Sequence, residues 1–295
     1  MAIPYRRFKL VNGVGEEFKL TEPNYKVFGD NPQGLGYSKT MQTLRLGNDN
    51  IVPYQIFNLD QIQFDILFYD TSLSDKYQKY NDFVSFLSYK PLYLHYQKPN
   101  SFAWYRRRVE TLSLNKTQVE YETSCLKCAF TLLPLSFWED DISNVIETGN
   151  QIESGKVYPI IYPITYGNTG LSNIPVTSNG MLDAPIELTI NGAVTNPQWI
   201  LYDENDTVYG RGKLIGTFDR VYINSDEADE QMVLERGGLI LDNPMSFQDL
   251  TVGSPNQIYI TFMKLHTGKS KLRFIVDGGF SGTVKIEWRN RYVTV

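Results

Sequence analysis

The clearest pattern in the chain is QIQFDILFYD (residues 61–70), where Ile62, Phe64, Ile66 and Phe68 alternate with the polar Gln63 and Asp65. Period-two alternation built from aromatic and β-branched residues predicts a half-buried strand. PLYLHYQ (91–97) alternates in the same way, with Leu92, Leu94 and Tyr96 opposite Tyr93, His95 and Gln97, and MQTLRLG (41–47) does so imperfectly. Between residues 70 and 91 lies one strong helical signal. Tyr77, Tyr80, Phe83, Val84 and Leu87 fall on one helical face, Ser72 and Asp75 have the form of a capping box, and Pro91 supplies a stop.

Residues 103–133 read as a long antiparallel ribbon with a turn near Asn115-Lys116. Leu126, Cys128, Phe130 and Leu132 make its apolar face, and Val119, Tyr121, Thr123 and Cys125 share the other. Residues 138–155 break the strand pattern with acids, asparagines and glycines, leaving room for a short helical turn and marking a boundary. From there to residue 295 about eight strand-length runs follow, beginning with GKVYPIIYPITYGNTG (155–170). Turn pairs such as Asn179-Gly180, Asn191-Gly192 and Gly237-Gly238 separate them. That spacing predicts a β-sandwich. The organisation expected is a domain over 1–140, a linker over 141–154 and a second domain over 155–295.

Composition supports a β-rich globular protein of two domains. The chain has 295 residues, 42% of them hydrophobic, with 20 tyrosines and 16 phenylalanines, and tyrosine suits strands that show one face to a core and a hydroxyl to water. No run approaches the roughly 20 apolar residues of a membrane-spanning helix, and the first residues lack a signal-peptide core, so neither membrane nor secretory signal is expected. Residues 1–140 carry 16 Lys+Arg against 15 Asp+Glu, and residues 141–295 carry 12 against 18. Neither half has the basic character of a nucleic-acid binder.

The candidate chemistry is thin. Cys125 and Cys128 form a C-x-x-C, but on a strand their Cα atoms stand about 10 Å apart on opposite faces, beyond the roughly 7 Å a disulfide tolerates. A metal knuckle would need a second ligand pair, and the chain offers only His95 and His266. No nucleophile elbow, P-loop or desolvated carboxylate pair is recognisable, so no catalytic, metal or cofactor site is expected and the protein is read as a non-enzyme. Trp199 and Trp288 lie on expected strands and either stack on sugar rings or fill the sandwich core. Arg106 and Arg108 share a strand face that either meets an acidic neighbour in a ring or partner contact or remains a free surface.

The order of these elements resembles the distal tail (Dit) proteins of long, non-contractile-tailed phages over nearly the whole chain. The resemblance rests on QIQFDILFYD, then KYQKYNDFVSFLSYKPLYLHYQ, then the arginine-bearing WYRRRVETLSLNK and the exit FTLLPLSFWED. In the second half it rests on YPIIYPITYGNTG, IPVTSNGMLDAPIELTINGAVTNPQWIL and KIEWRNRYV. It implies a mainly β fold, with an N-terminal split-barrel-like domain bearing one helix and a galectin-like β-sandwich after it. It implies a structural component of the virion's tail tip, made in the host cytoplasm, in which a homo-hexameric ring joins the tail tube to the tip protein. DNA would pass through that ring without specific binding, while the outer domains anchor receptor-binding or other baseplate proteins. Trp288 is followed by Arg289, Asn290 and Arg291 with no histidine nearby, a departure from sugar-binding galectins that favours a docking scaffold. The alternative is a carbohydrate-binding protein that recognises host cell-wall polysaccharide through its second domain.

Overall fold

The computed structural model describes residues 5–21, 27–46, 49–70, 72–120, 125–149, 170–241, 259–260, 262–278 and 280–295. The chain divides into two compact units, Met1–Ile142 with Arg291–Val295, and Ser143–Asn290.

The first unit is built on strands β1 (Arg7–Val11), β2 (Glu17–Lys19), β3 (Val27–Gln33), β4 (Tyr37–Leu46), β5 (Asp49–Leu59) and β6 (Ile62–Tyr69). Helix α1 (Leu73–Ser88) follows, then β7 (Leu92–Gln97), β8 (Trp104–Glu120), β9 (Cys125–Pro134) and β10 (Trp138–Asp140). Its main sheet runs β2-β1-β7-β8-β9-β6-β3, with antiparallel pairing throughout. Ile62, Phe64, Ile66 and Phe68 of β6 are all buried, as the alternation predicts. Helix α1 packs on this face through Phe83, whose ring lies 5.9 Å from Phe68, 5.4 Å from Phe130 and 4.5 Å from Phe18. Edge and tilted aromatic pairs of this kind add to the area they bury.

Ser72 caps α1 by accepting from the Asp75 backbone N–H at 3.1 Å, a cap that contributes about 1 kcal/mol. The buried stripe of the helix includes Phe83, Phe86 and Leu87, whereas Val84 is exposed. At 3.6 residues per turn Phe86, three residues after Phe83, continues the stripe better than Val84 does. The ribbon of β8 and β9 also differs from expectation. Asn115 and Lys116 pair with Ala129 and Cys128, and the ladder continues to Glu120↔Cys125. The expected turn at Asn115-Lys116 is therefore part of the ladder, and residues 121–124 lie outside the described residues. Register shifts near Leu112 and Thr117 absorb the extra residues of the longer strand.

The second unit holds β11 (Asn144–Gly149), β12 (Gly170–Ser178), β13 (Ala184–Thr195), β14 (Gln198–Asp203), β15 (Val208–Lys213) and β16 (Thr217–Asn224). It continues with β17 (Gln231–Arg236), β18 (Leu239–Leu241), β19 (Tyr259–Ile260), β20 (Lys264–Leu265), β21 (Gly268–Ile275) and β22 (Thr283–Trp288). One sheet runs β11-β22-β13-β16-β17-β18 with β20 beside β13, and the other runs β12-β21-β14-β15-β19. Ile186, Leu188, Val221 and Ile286 from the first meet Trp199, Leu201, Leu272 and Phe274 from the second in one core, the sandwich the strand spacing predicts. Most of the run 155–170 expected as its first strand lies outside the described residues. Within the stretch expected as a linker, residues 144–149 instead pair with β22 over six positions. Their alternation was masked by the surrounding acids and glycines.

A close approach in this core requires a glycine. A Cβ on Gly212 would fall 2.3 Å from the Trp199 indole, so Gly212→Ala should displace a fully buried tryptophan between the sheets. Overpacking of this kind typically costs about 1–3 kcal/mol. Thermal unfolding of the variant should show a lowered midpoint, and an unchanged midpoint would mean that the indole shifts freely.

The chain returns to the first unit in β23 (Arg291–Tyr292), which pairs with β10 through Trp138↔Tyr292 and Glu139↔Arg291. The last residue, Val295, packs against the first unit's core.

Candidate subunit interface

β4 and β5 form a sheet of their own. In the described structure they pair only with each other, from Tyr37↔Leu59 to Leu46↔Asp49. Ten residues of strand at about 3.4 Å each give a ribbon roughly 34 Å long. Its base is tied to the body of the unit: the Phe57 ring meets Tyr37 at 5.3 Å and Phe137 at 6.4 Å, and the Lys39 ammonium sits 4.5 Å over Phe57. The side chains described further out are uncovered, with Met41 55% and Leu44 58% exposed. A two-stranded ribbon has little stability by itself, and its open edges offer hydrogen-bonding groups to another chain.

The arginine triplet sits on β8. Arg107 points to the interior and is fully buried. Its Nε donates to the Ser136 carbonyl at 2.8 Å, and its guanidinium stacks 4.9 Å from the Trp138 ring. Burial lowers its pKa to about 10, so it remains charged at neutral pH. Arg106 and Arg108 lie on the opposite face, both half-buried.

For Arg106 the acidic neighbour lies within the same unit. Its Nη2 is 3.4 Å from Glu139 Oε2, and the other Glu139 oxygen is 3.5 Å from Arg291 Nε. Glu139 and Arg291 are both buried. Arg106 also stacks 4.8 Å over Tyr93. Cross-strand register continues the row through His95 to Lys9 and Lys19. Sequence reasoning missed Glu139 and Arg291, because 152 positions separate them and nothing near either one signals the contact.

At the edge of this row, His95 Nδ1 lies 3.2 Å from Asp141 Oδ1. The contact with His95, helped by the charges of Lys9 and Arg106 and opposed by burial, holds the Asp141 carboxyl below its ordinary pKa of 3.8. A carboxyl depressed in the folded state stabilises fully above its unfolded pKa, and that contribution disappears as pH falls through the folded value. Asp141→Asn should therefore be less stable than the parent at pH 7, with the deficit shrinking below pH 3.8. Urea midpoints at pH 7 and pH 3 check this, and a deficit of equal size at both would place its cause elsewhere.

The tryptophans considered for sugar contact are core residues. Trp199 is 0% and Trp288 6% exposed, so neither offers a ring face to a ligand. The inward positions of two packed sheets claim the largest apolar side chains. Cys128 is likewise in the core, and burial pushes its thiol up to about 11. Cys125 is also buried, on the other face of β9. Among the described residues no three His, Cys, Asp or Glu side chains gather as metal ligands.

Comparison with known proteins agrees with this architecture. A chain of the phage P2 baseplate in its activated conformation with Ca superposes with a TM-score of 0.63 at 17% identity, covering 99% of this chain and 100% of that one. The Dit protein of SPP1 superposes with a TM-score of 0.59 at 10% identity, covering 96% and 98%. At such identities the likeness establishes a shared fold, running through both units. No curated protein matches the sequence. Residues 7–135 match the family model of the distal tail protein, N-terminal domain. By that match, residues 7–135 carry a distal tail protein N-terminal domain.

Proposed function

We propose that this protein is a structural component of a phage tail tip, a hexameric ring that joins the tail tube to the tip protein and anchors receptor-binding or other baseplate proteins. The observation that carries the reading is the family match over residues 7–135 together with the uncovered β4–β5 arm in that same region. An arm with open edges and exposed Met41 and Leu44 finds its cover on the next copy around a ring, a heterologous contact that closes by rotation. The second unit, a sandwich read as galectin-like, serves as the outward docking scaffold, and residues 1–142 serve as the belt. DNA passes through a channel that has no need of a basic lining, since adhesion would hinder its passage. Recognition of polysaccharide through Trp199 and Trp288 is not part of this reading, because both are enclosed. Gold-labelled antibody against the protein should decorate the tail tip of intact virions. Label confined to capsids, or absent from particles, would overturn the assignment.

A further inference from the structure

The second unit carries an uneven charge that the docking role leaves unexplained. Residues 143–290 hold 11 Lys+Arg against 17 Asp+Glu, a net negative unit, yet five of those cations stand on one sheet face. On β15, Arg211 and Lys213 point outward, alternating with the buried Gly210 and Gly212. On β21, Lys269, Lys271 and Arg273 point outward, alternating with the buried Ser270, Leu272 and Phe274. The strand between them is β14, whose outward residues are Gln198, Ile200 and Tyr202.

Register places Ile200 directly between Arg211 and Arg273, Gln198 beside Lys213, and Tyr202 beside Lys271. Two basic rails about 10 Å apart, at two strand spacings, thus flank a half-buried aliphatic and aromatic track. On one rail Lys271 pairs with Asp206 at 2.7 Å. The opposite sheet is different in kind. Glu147, Glu187, Glu235 and Glu287 lie at exposed or half-buried positions of β11, β13, β17 and β22, with Lys285 and Arg220 paired to two of them.

We infer that the outer face of the five-stranded sheet docks an acidic protein surface whose centre is apolar. This rests on the docking role proposed above and names the partner chemistry. A bare polyanion would be served best by cations without interruption, whereas the Ile200–Tyr202 track gains only from an apolar side chain seated between the rails. Cations on the rim steer and select an acidic partner, and the apolar centre supplies the desolvated contact. The face is small, so each site is weak alone, and a ring of copies strengthens attachment through simultaneous engagement.

The test uses the full-length chain and three labelled probes: a Glu/Tyr random copolymer, poly-glutamate and inorganic polyphosphate. Fluorescence anisotropy should rank the copolymer tightest, with binding weakened by added salt. Arg273→Glu combined with Lys213→Glu should weaken copolymer binding at least tenfold, Arg273→Gln should do so in the same direction, and Lys285→Glu on the other sheet should leave it unchanged. Tyr202→Asp should remove the preference for the copolymer over poly-glutamate. Polyphosphate bound tightest, or rail variants that bind like the parent, would overturn the inference. Oligomer mass, measured on the same variants, should not move, so a failed docking face and a failed ring are told apart.

Discussion

Removing the β4–β5 arm is expected to leave a folded protein that no longer assembles. A variant in which residues 38–58 are replaced by a short glycine-serine turn keeps Leu35, whose carbonyl receives the Trp138 indole N–H at 3.4 Å, and keeps the whole β2-to-β3 sheet. It loses a ribbon whose described outer side chains are uncovered and whose edges pair with nothing in the described chain, together with the Phe57 contact to Phe137 at its base. The monomer's core should be little affected, since among the described residues the buried cluster draws no member from β4 or β5. Assembly should fall by orders of magnitude in concentration, because in the proposed ring the contact between copies covers the arm's edges and apolar positions. Met41→Asp with Leu44→Asp should act in the same direction with less effect. Analytical ultracentrifugation separates the cases, and an arm-deleted protein that still assembles would place the interface elsewhere in the first unit.

The second large effect is expected at Glu139. This carboxylate lies buried between Arg106 and Arg291. Glu139→Ala removes from both guanidiniums the buried carboxylate that lies between them. Removing one partner of a buried ionic group typically costs about 3–5 kcal/mol, much of it the penalty on the charges left behind. Glu139→Gln keeps two polar atoms near the arginines and should cost less. Arg106→Met should cost less than Glu139→Ala, since Glu139 would still face Arg291. Urea unfolding of the three variants orders them. A loss below about 1 kcal/mol for Glu139→Ala would be the size of an exposed pair and would show that water reaches the trio. The same substitution also strikes the seam where β23 rejoins the first unit, so the C-terminal strand should become accessible to protease.

These two sites illustrate what the sequence could show. Strands buried on one face announced themselves: Ile62, Phe64, Ile66 and Phe68 alternate because one side of β6 meets α1 and the other does not. The helix was equally legible, from its Ser72 cap to its stop before Pro91. The arm was legible only as an imperfect alternation in MQTLRLG, because the exposed Met41 and Leu44 meet no core that would impose a period. The turn of the β8–β9 ribbon was misplaced because Asn115-Lys116 has turn composition, while the bulges that lengthen β8 have no local signature. For Arg106 the sequence left an acidic neighbour and a free surface equally open, and its partner Glu139 is also held by Arg291, 152 positions away. Trp199 and Trp288 show the limit most plainly, since a strand tryptophan reads alike whether it faces a sugar or a core, and only the packing of the second sheet decides.

The ring itself is tested most directly by weighing the particle. Mass photometry of the full-length protein, followed over a concentration series, should give a species six times the 33.9 kDa chain, which the arm-deleted protein does not form. A parent protein that remains a single 33.9 kDa species at the highest concentrations reached would contradict the hexameric ring.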